Sequence, residues 1–359
     1  MKRPLLLNPG PVTLSERVRN SLLLPDLCHR ENEFFDLQDE IRQRLLGVYG
    51  LDPAVWTAVL LTGSGTAAVE AMVSSLVPDQ GRLLVVENGV YGERMTHIAR
   101  RHDIACETVQ HDWTAPMDLA AVRERLAALP RITHVAAVHH ETTTGRLNAL
   151  NELAALCAEA GVALLADTVS SFGAERIDFA RPGLAAAAAG ANKCLHGVPG
   201  ACFVITRRAA LEDAAARTLY LDLAAWNRAQ DARGTPFTPS VHGYYAFREA
   251  LREYADEGGL AARHARYAAL AGQVANGLAA LGVEPLLPRE QSSVVLRAYR
   301  LPQALDYARL HDGLKAKGFI IYAGQGALAA SLFRISTMGA VAATDMARLV
   351  DEVRQMLRK

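Results

Sequence analysis

Lys193 is the first residue to ask about. Only five lysines occur, at positions 2, 193, 315, 317 and 359, and every other basic residue is an arginine. Four of the five lie at the chain ends or on a stretch patterned as an exposed helix. Lys193 instead sits in Ala191-Asn192-Lys193-Cys194, between the alanine-rich run 184–189 and the apolar run 201–205, with the turn Gly197-Val198-Pro199-Gly200 in between. An ammonium among apolar neighbours is costly to keep charged. A lysine that has lost its proton attacks carbonyl carbons and forms a Schiff base. Two other features match that chemistry. Asp167 ends the apolar run 162–166, which projects its carboxylate to a sheet edge. Gly63-Ser64-Gly65-Thr66 joins an apolar run to a helical pattern, where glycines admit close backbone approach and free N–H groups favour an anion such as phosphate.

A phosphate cradle, a strand-end carboxylate and an isolated lysine together meet the needs of pyridoxal 5'-phosphate (PLP). That cofactor requires an anchored phosphate, a carboxylate on its pyridine nitrogen and an amine for its aldehyde. At about 4 Å and an effective dielectric of about 20, carboxylate and pyridinium attract by roughly 4 kcal/mol. Such a pairing keeps the ring nitrogen protonated at neutral pH. The stretch 63–68 also fits the GxGxxA dinucleotide fingerprint, with Glu87 ending the next apolar run where a ribose-binding acid belongs. An NAD-dependent dehydrogenase built on that fingerprint gives Lys193 beside Asp167 no role.

The elements that must position these residues follow from periodicity. Apolar runs at 58–61, 83–86, 106–109, 134–138 and 162–166 alternate with helical patterns that begin after 65, at 93, at 119 and at 150. Strands alternating with helices predict an α/β domain with a mostly parallel sheet covered on both faces. Ligands in such sheets sit beyond the carboxyl ends of the strands. After about residue 240 the texture changes to a long helical pattern over 244–281, broken at Gly258-Gly259. Strands at 293–299, 319–322 and 332–336 and helices at 303–317 and 342–357 follow. The expected organisation is a segment 1–15 lining the site, a large domain over 16–245 and a small C-terminal α+β domain over 246–359.

Composition narrows the function classes. The 359 residues are 50% hydrophobic and 21% charged, ordinary for a globular protein. Thirty-eight basic residues balance thirty-eight acidic ones, so no global field recruits nucleic acid or anionic lipid. The five cysteines, at 28, 106, 157, 194 and 202, show no CxxC spacing, which argues against a disulfide framework or a thiolate metal site. The apolar start is cut short by Asn8-Pro9-Gly10-Pro11, and no later run reaches the roughly 20 residues of a membrane span. A cytoplasmic enzyme with small-molecule partners, no metal, no nucleic acid and no membrane is expected. His139 and His140 follow a strand without acidic or thiol partners at ligand spacing and read as structural.

Several stretches together resemble the class V (fold type I) PLP-dependent aminotransferases, and within them the 2-aminoethylphosphonate–pyruvate transaminase group. They are Leu7-Asn8-Pro9-Gly10-Pro11-Val12, Gly63-Ser64-Gly65-Thr66-Ala67-Ala68, Asn88-Gly89-Val90-Tyr91-Gly92-Glu93-Arg94, Glu141-Thr142-Thr143-Thr144-Gly145, Asp167-Thr168-Val169-Ser170, Ala191-Asn192-Lys193-Cys194 and Phe333-Arg334-Ile335-Ser336, in family order across nearly the whole chain. The resemblance implies that Lys193 holds the cofactor's aldehyde covalently and then shuttles the substrate proton. Asp167 would hold the pyridinium nitrogen, Tyr91 would stack on the ring and Thr142 would bond near its O3′. Ser64, Gly65, Thr66 and Asn192 would cradle the phosphate. Arg334 would bind the substrate's acidic group with its planar fork, and Asn8 and Gly10 would line the same pocket. Thr238 would reach the phosphate in a neighbouring subunit, which makes the active unit a homodimer. The implied reaction moves the amino group of 2-aminoethylphosphonate to pyruvate, giving phosphonoacetaldehyde and L-alanine. Cys28-His29-Arg30-Glu31 departs from that group and looks closer to other class V members. An alanine- or serine–glyoxylate aminotransferase is therefore the alternative, with a non-catalytic PLP-binding protein more distant. The family also places a strand at 184–189, where the alanines by themselves favour helix.

Overall fold

A computed structural model describes residues 4–129, 131–303 and 305–358. The start of the expected N-terminal segment, with Lys2, and Lys359 lie outside the described residues. Seven strands form the main sheet: β1 (Trp56–Gly63), β2 (Arg82–Glu87), β3 (Ala105–Gln110), β4 (Ile132–Val138), β5 (Ala163–Asp167), β6 (Leu184–Gly190) and β7 (Gly200–Arg207). They lie in the order β1-β7-β6-β5-β4-β2-β3. Only β7 runs against the others, antiparallel to both β1 and β6. The other six therefore point their carboxyl ends to one edge.

Alternation along each strand divides the core in two. Leu60, Val86, Val135, Leu164 and Phe203 face one layer, where they meet Phe34, Leu37 and Ile41 of helix α1 (Asn32–Gly47). Leu61, Val85, Ala136, Leu165 and Cys202 face the other, against helices α2 (Gly65–Leu76) and α3 (Val90–Arg101). Both faces are buried, as a parallel sheet requires. The alanine run is a strand: all seven residues of β6 are buried, and it is laddered to β5 on one side and β7 on the other. Two flanking ladders and helices on both faces outweigh the few tenths of a kcal/mol per residue of helix propensity.

The small lobe holds a three-stranded antiparallel sheet of β8 (Leu296–Arg300), β9 (Tyr322–Ala323) and β10 (Leu332–Ser336), with β10 central. Its core includes Leu270, Val274, Tyr299, Phe333, Met346 and Leu349. The N-terminal pair Leu5–Leu6 adds to this lobe, parallel to Phe319–Ile320, which carries Asn8, Pro9 and Gly10 across to the large sheet's edge. Of the boundaries that differ from those expected, three alter packing or pairing. The division at 245/246 falls inside one helix, Val241–Asp256, whose Tyr244, Phe247, Leu251 and Tyr254 join the large core; the break between this helix and the next is at Gly258, which has a left-handed φ of 105°. The strand expected over 319–322 is two, because Phe319–Ile320 and Tyr322–Ala323 pair in different sheets. Regular pairing expected from 293 begins at Leu296, since Ser293 and Val294 are held by the Glu175 carboxylate. No helix among the described residues is long and apolar enough to cross a membrane.

Burial also sets a pH dependence. His134, His139 and His140 are pushed down to about 4, 3 and 4, each chiefly by loss of solvent. Asp167 and Glu141 are pushed up to about 6 and 7 for the same reason. A base with a lowered folded pKa loses stability as pH falls below its unfolded value near 6.5, while an acid with a raised one gains it. Between pH 7 and 5 each histidine costs about 2 kcal/mol, and the two acids together return about 4 kcal/mol. His196, lowered further by burial, adds to the histidine side, and Glu175, raised by burial, adds to the acid side. The thermal midpoint of the cofactor-free chain is expected to fall from pH 7 to pH 5, and scanning calorimetry at both pH values checks this.

Candidate active site

The carboxyl ends of β1, β4, β5 and β6 surround a cavity of about 180 Å³. Along one wall, α2 begins directly after β1. Its N-cap, Ser64, makes no side-chain capping bond, and the N–H groups of Gly65 and Thr66 have no partner among the described residues, where the first helical bonds return from Ala67 and Ala68 to the Ser64 carbonyl. Ser64, Gly65 and Thr66 all line the cavity. Gly65 is needed for space: a Cβ there would sit 2.7 Å from Cγ1 of Val169, another wall residue.

Asp167 closes β5 and is 7% exposed. One carboxylate oxygen accepts from the Val169 N–H at 2.9 Å, and the other has no partner among the described residues. Burial raises its pKa to about 6, against the pull of the Val169 N–H, Arg94 and Lys193. Lys193, in the turn between β6 and β7, lines the same cavity without a direct ion pair to Asp167. Its Nζ donates to the Pro9 carbonyl, and Gly10 leaves it room, because a Cβ at Gly10 would lie 2.7 Å from Nζ. Burial lowers the lysine to about 8. Amine and carboxylate thus face a shared space from different walls. Tyr91, on the first turn of α3, and Thr142 and Asn192 complete it.

Four expected residues lie at or beyond the rim. Asn8 is buried, with Nδ2 donating to the Pro11 carbonyl at 3.2 Å and Oδ1 unpartnered. Gly10 touches the site through Lys193. Arg334, on β10, is buried and reaches the wall through the Thr142 carbonyl at 2.9 Å. Its Nε donates to Ala323 and its Nη1 also to Gln325 at 3.0 Å, leaving Nη2 without a partner among the described residues. Nη2 is therefore the guanidinium nitrogen that these acceptors leave for an anion. Thr238 is exposed, outside the cavity, with Oγ1 3.5 Å from His29.

Two further residues line the cavity: Arg94, which was not among the expected site residues, and His140, which was expected to be structural. Arg94 lines the cavity, stacks 4.7 Å from the Tyr91 ring centre and donates to Thr66 at 3.3 Å. The i,i+3 spacing from Tyr91 on one helix was the available signal. His139 is structural, 3.0 Å from Ser171. His140 instead lines the cavity: its Nδ1 donates to the Ser170 carbonyl at 3.0 Å, so its unpartnered Nε2 is an acceptor. Glu87 offers nothing to a ribose, because Thr96 and Gln110 occupy its two oxygens.

The residues present fit PLP. Unfilled N–H groups at a helix start suit its phosphate, the free Asp167 oxygen suits a ring nitrogen, and a lysine at about 8 suits an aldehyde. A seven-stranded sheet with this site at its carboxyl edge and a small α+β lobe over it defines a fold type I transferase. The family model for class-V aminotransferases matches residues 24–347. A 2-aminoethylphosphonate–pyruvate transaminase of Aeromonas hydrophila is 41% identical, covering 94% of this chain and 90% of its own. One from Vibrio cholerae is 38% identical, covering 98% and 97%. Among solved structures, an alanine–glyoxylate aminotransferase from Nostoc sp. superposes with a TM-score of 0.92 at 28% identity, covering 100% of this chain and 96% of that one. The chain belongs to the class-V aminotransferases.

Proposed function

We propose that the protein is a PLP-dependent transaminase that moves the amino group of 2-aminoethylphosphonate to pyruvate, releasing phosphonoacetaldehyde and L-alanine. Full-length similarity to transaminases of that name is the observation that carries the reading. The site chemistry agrees with it. Bound PLP would supply an electron sink for a proton leaving the carbon beside nitrogen. Lys193, lowered by burial to about 8, would hold the cofactor and carry that proton between carbons. Asp167 would keep the ring nitrogen protonated, and Ser64, Gly65, Thr66 and Asn192 would hold the phosphate. Arg334 would present Nη2 to the phosphonate of one substrate and the carboxylate of the other, a charge-assisted bond in a dry site. We further propose a cytoplasmic homodimer in which Thr238 and the adjoining His29 serve the neighbouring subunit's site; exposure of Thr238 outside its own cavity supports this.

The test is the absorbance of the purified, PLP-loaded protein mixed separately with 2-aminoethylphosphonate, L-alanine and L-serine, without acceptor. Bleaching of the cofactor band by the phosphonate, and slowly by alanine, is the expected result. Bleaching by serine or alanine alone would move the assignment to a glyoxylate-type aminotransferase. A protein that cannot be reconstituted with PLP would end the reading. Arg334→Ala is expected to raise KM at least tenfold for both the phosphonate and pyruvate, the loss of one charge-assisted bond; steady-state kinetics with each substrate varied in turn checks it.

A further inference from the structure

One carboxyl behind the wall, bonded to the backbone of the wall residue Tyr91, takes no part in that scheme. Glu141 is wholly buried, the second residue of the two-residue strand His140–Glu141. Its Oε2 accepts from the Tyr91 N–H at 3.2 Å and its Oε1 from the Thr143 N–H at 3.0 Å. The Tyr91 N–H lies in the first turn of α3, where N–H groups have no intrahelical acceptor, and Gly89 at the N-cap has no side chain to supply one. The carboxyl therefore caps α3 from outside the helix. Glu141 also suspends the threonine turn that follows it: the N–H groups of Thr144 and Gly145 return to its carbonyl at 3.3 and 2.9 Å. Within that turn the Thr142 carbonyl accepts from Arg334 at 2.9 Å. The aromatic wall and the substrate-side arginine are thus both referred to one residue. Gly89 records how closely: a Cβ there would fall 2.3 Å from Glu141 Cδ, although its φ of 166° is open to any residue.

We propose that Glu141 is a positioning residue for amino transfer, its carboxyl fixing Tyr91 and Arg334 relative to one another so that cofactor seating and substrate-anion binding change together. The proposal rests on the PLP transaminase reading above. Its physical signature is that an isostere fails. Each carboxylate oxygen accepts from a backbone N–H, whereas a carboxamide offers one acceptor and one donor. Glu141→Gln must give up one of the two bonds and set a donor against a donor.

The experiment compares PLP-loaded wild type, Glu141→Gln, Gly89→Ala and the double variant at pH 8.5, above the value of about 7 to which burial raises Glu141, so that both of its oxygens are acceptors. In Glu141→Gln the near-ultraviolet circular dichroism of the bound cofactor is expected to change without substrate. KM for 2-aminoethylphosphonate and for pyruvate is expected to rise together, about tenfold, with cofactor stoichiometry kept. Gly89→Ala crowds the same carboxyl without touching its charge and should reproduce both changes. The double variant should be no worse than either single one, because the same contact is lost only once. A wild type that neither binds PLP nor transaminates sinks the functional reading itself. A working wild type beside a Glu141→Gln variant with unchanged KM values and dichroism overturns the positioning role alone. Loss of folding in both single variants overturns it too, since the carboxyl would then be supporting the core and not the site.

Discussion

Lys193→Ala is expected to stop amino transfer, lowering kcat by roughly a thousandfold or more; borohydride should then no longer fix PLP to the chain. The reason is geometric as well as chemical. Lys193 shares the cavity with the phosphate-type cradle of α2 and with Asp167, and the other two described lysines, Lys315 and Lys317, are exposed on a small-lobe helix and the turn that ends it. The N-terminal segment holds its amine through the Pro9 carbonyl. Burial, the largest influence, lowers the lysine from 10.5 to about 8, and the nearby Arg334 and Arg94 push the same way, against Cys194 and Asp167. About half the amines are then neutral at pH 8, where an ordinary lysine has well under about one per cent. The rate of PLP capture by the cofactor-free chain should therefore rise from pH 7 and level off above about pH 8.5, a profile that stopped-flow absorbance would record. A rate still climbing steeply at pH 10 would mean an unperturbed lysine and a different nucleophile environment.

Asp167→Asn should cost roughly two to three orders of magnitude in kcat with the fold intact. The asparagine carbonyl can keep the 2.9 Å bond from the Val169 N–H. Its amide nitrogen then occupies the place of the free oxygen, so a donor faces the cavity where an acceptor for a protonated ring nitrogen is needed. The lost attraction, roughly 4 kcal/mol at about 4 Å and an effective dielectric of about 20 before desolvation is subtracted, is of the size that sets the rate loss. PLP should still bind, held by Lys193 and the start of α2. Steady-state kinetics at saturating PLP, with equilibrium dialysis for cofactor affinity, separates the two effects. Loss of affinity with full kcat in the loaded fraction would show that Asp167 only holds the ring.

The amino-acid sequence by itself singled out Lys193, because one lysine among arginines stood between two apolar runs. It singled out Asp167 and Gly63-Ser64-Gly65-Thr66 because strand ends and strand-to-helix turns are marked by local composition. Alternating periods also disclosed the α/β layering. These are properties of neighbours along the chain, and local pattern reports them. The other half of the site depends on register and topology. Arg334 meets Thr142, and Glu141 meets Tyr91, across large separations in sequence, contacts that exist only once the sheets and the lobe are assembled. Arg94 and His140 face the cavity because of the helical phase of α3 and the short strand His140–Glu141 that follows β4, which their residue types do not disclose. The alanine strand β6 makes the same point for the fold: its composition favours helix, and two hydrogen-bonded ladders under two helical layers make it a strand. Arg334 was recognisable as an anion-binding candidate, but its presentation of one free nitrogen was decided by the Ala323, Thr142 and Gln325 acceptors that packing places around it. A residue's type limits which bonds it can make; the tertiary structure decides which partners are close enough to consume them.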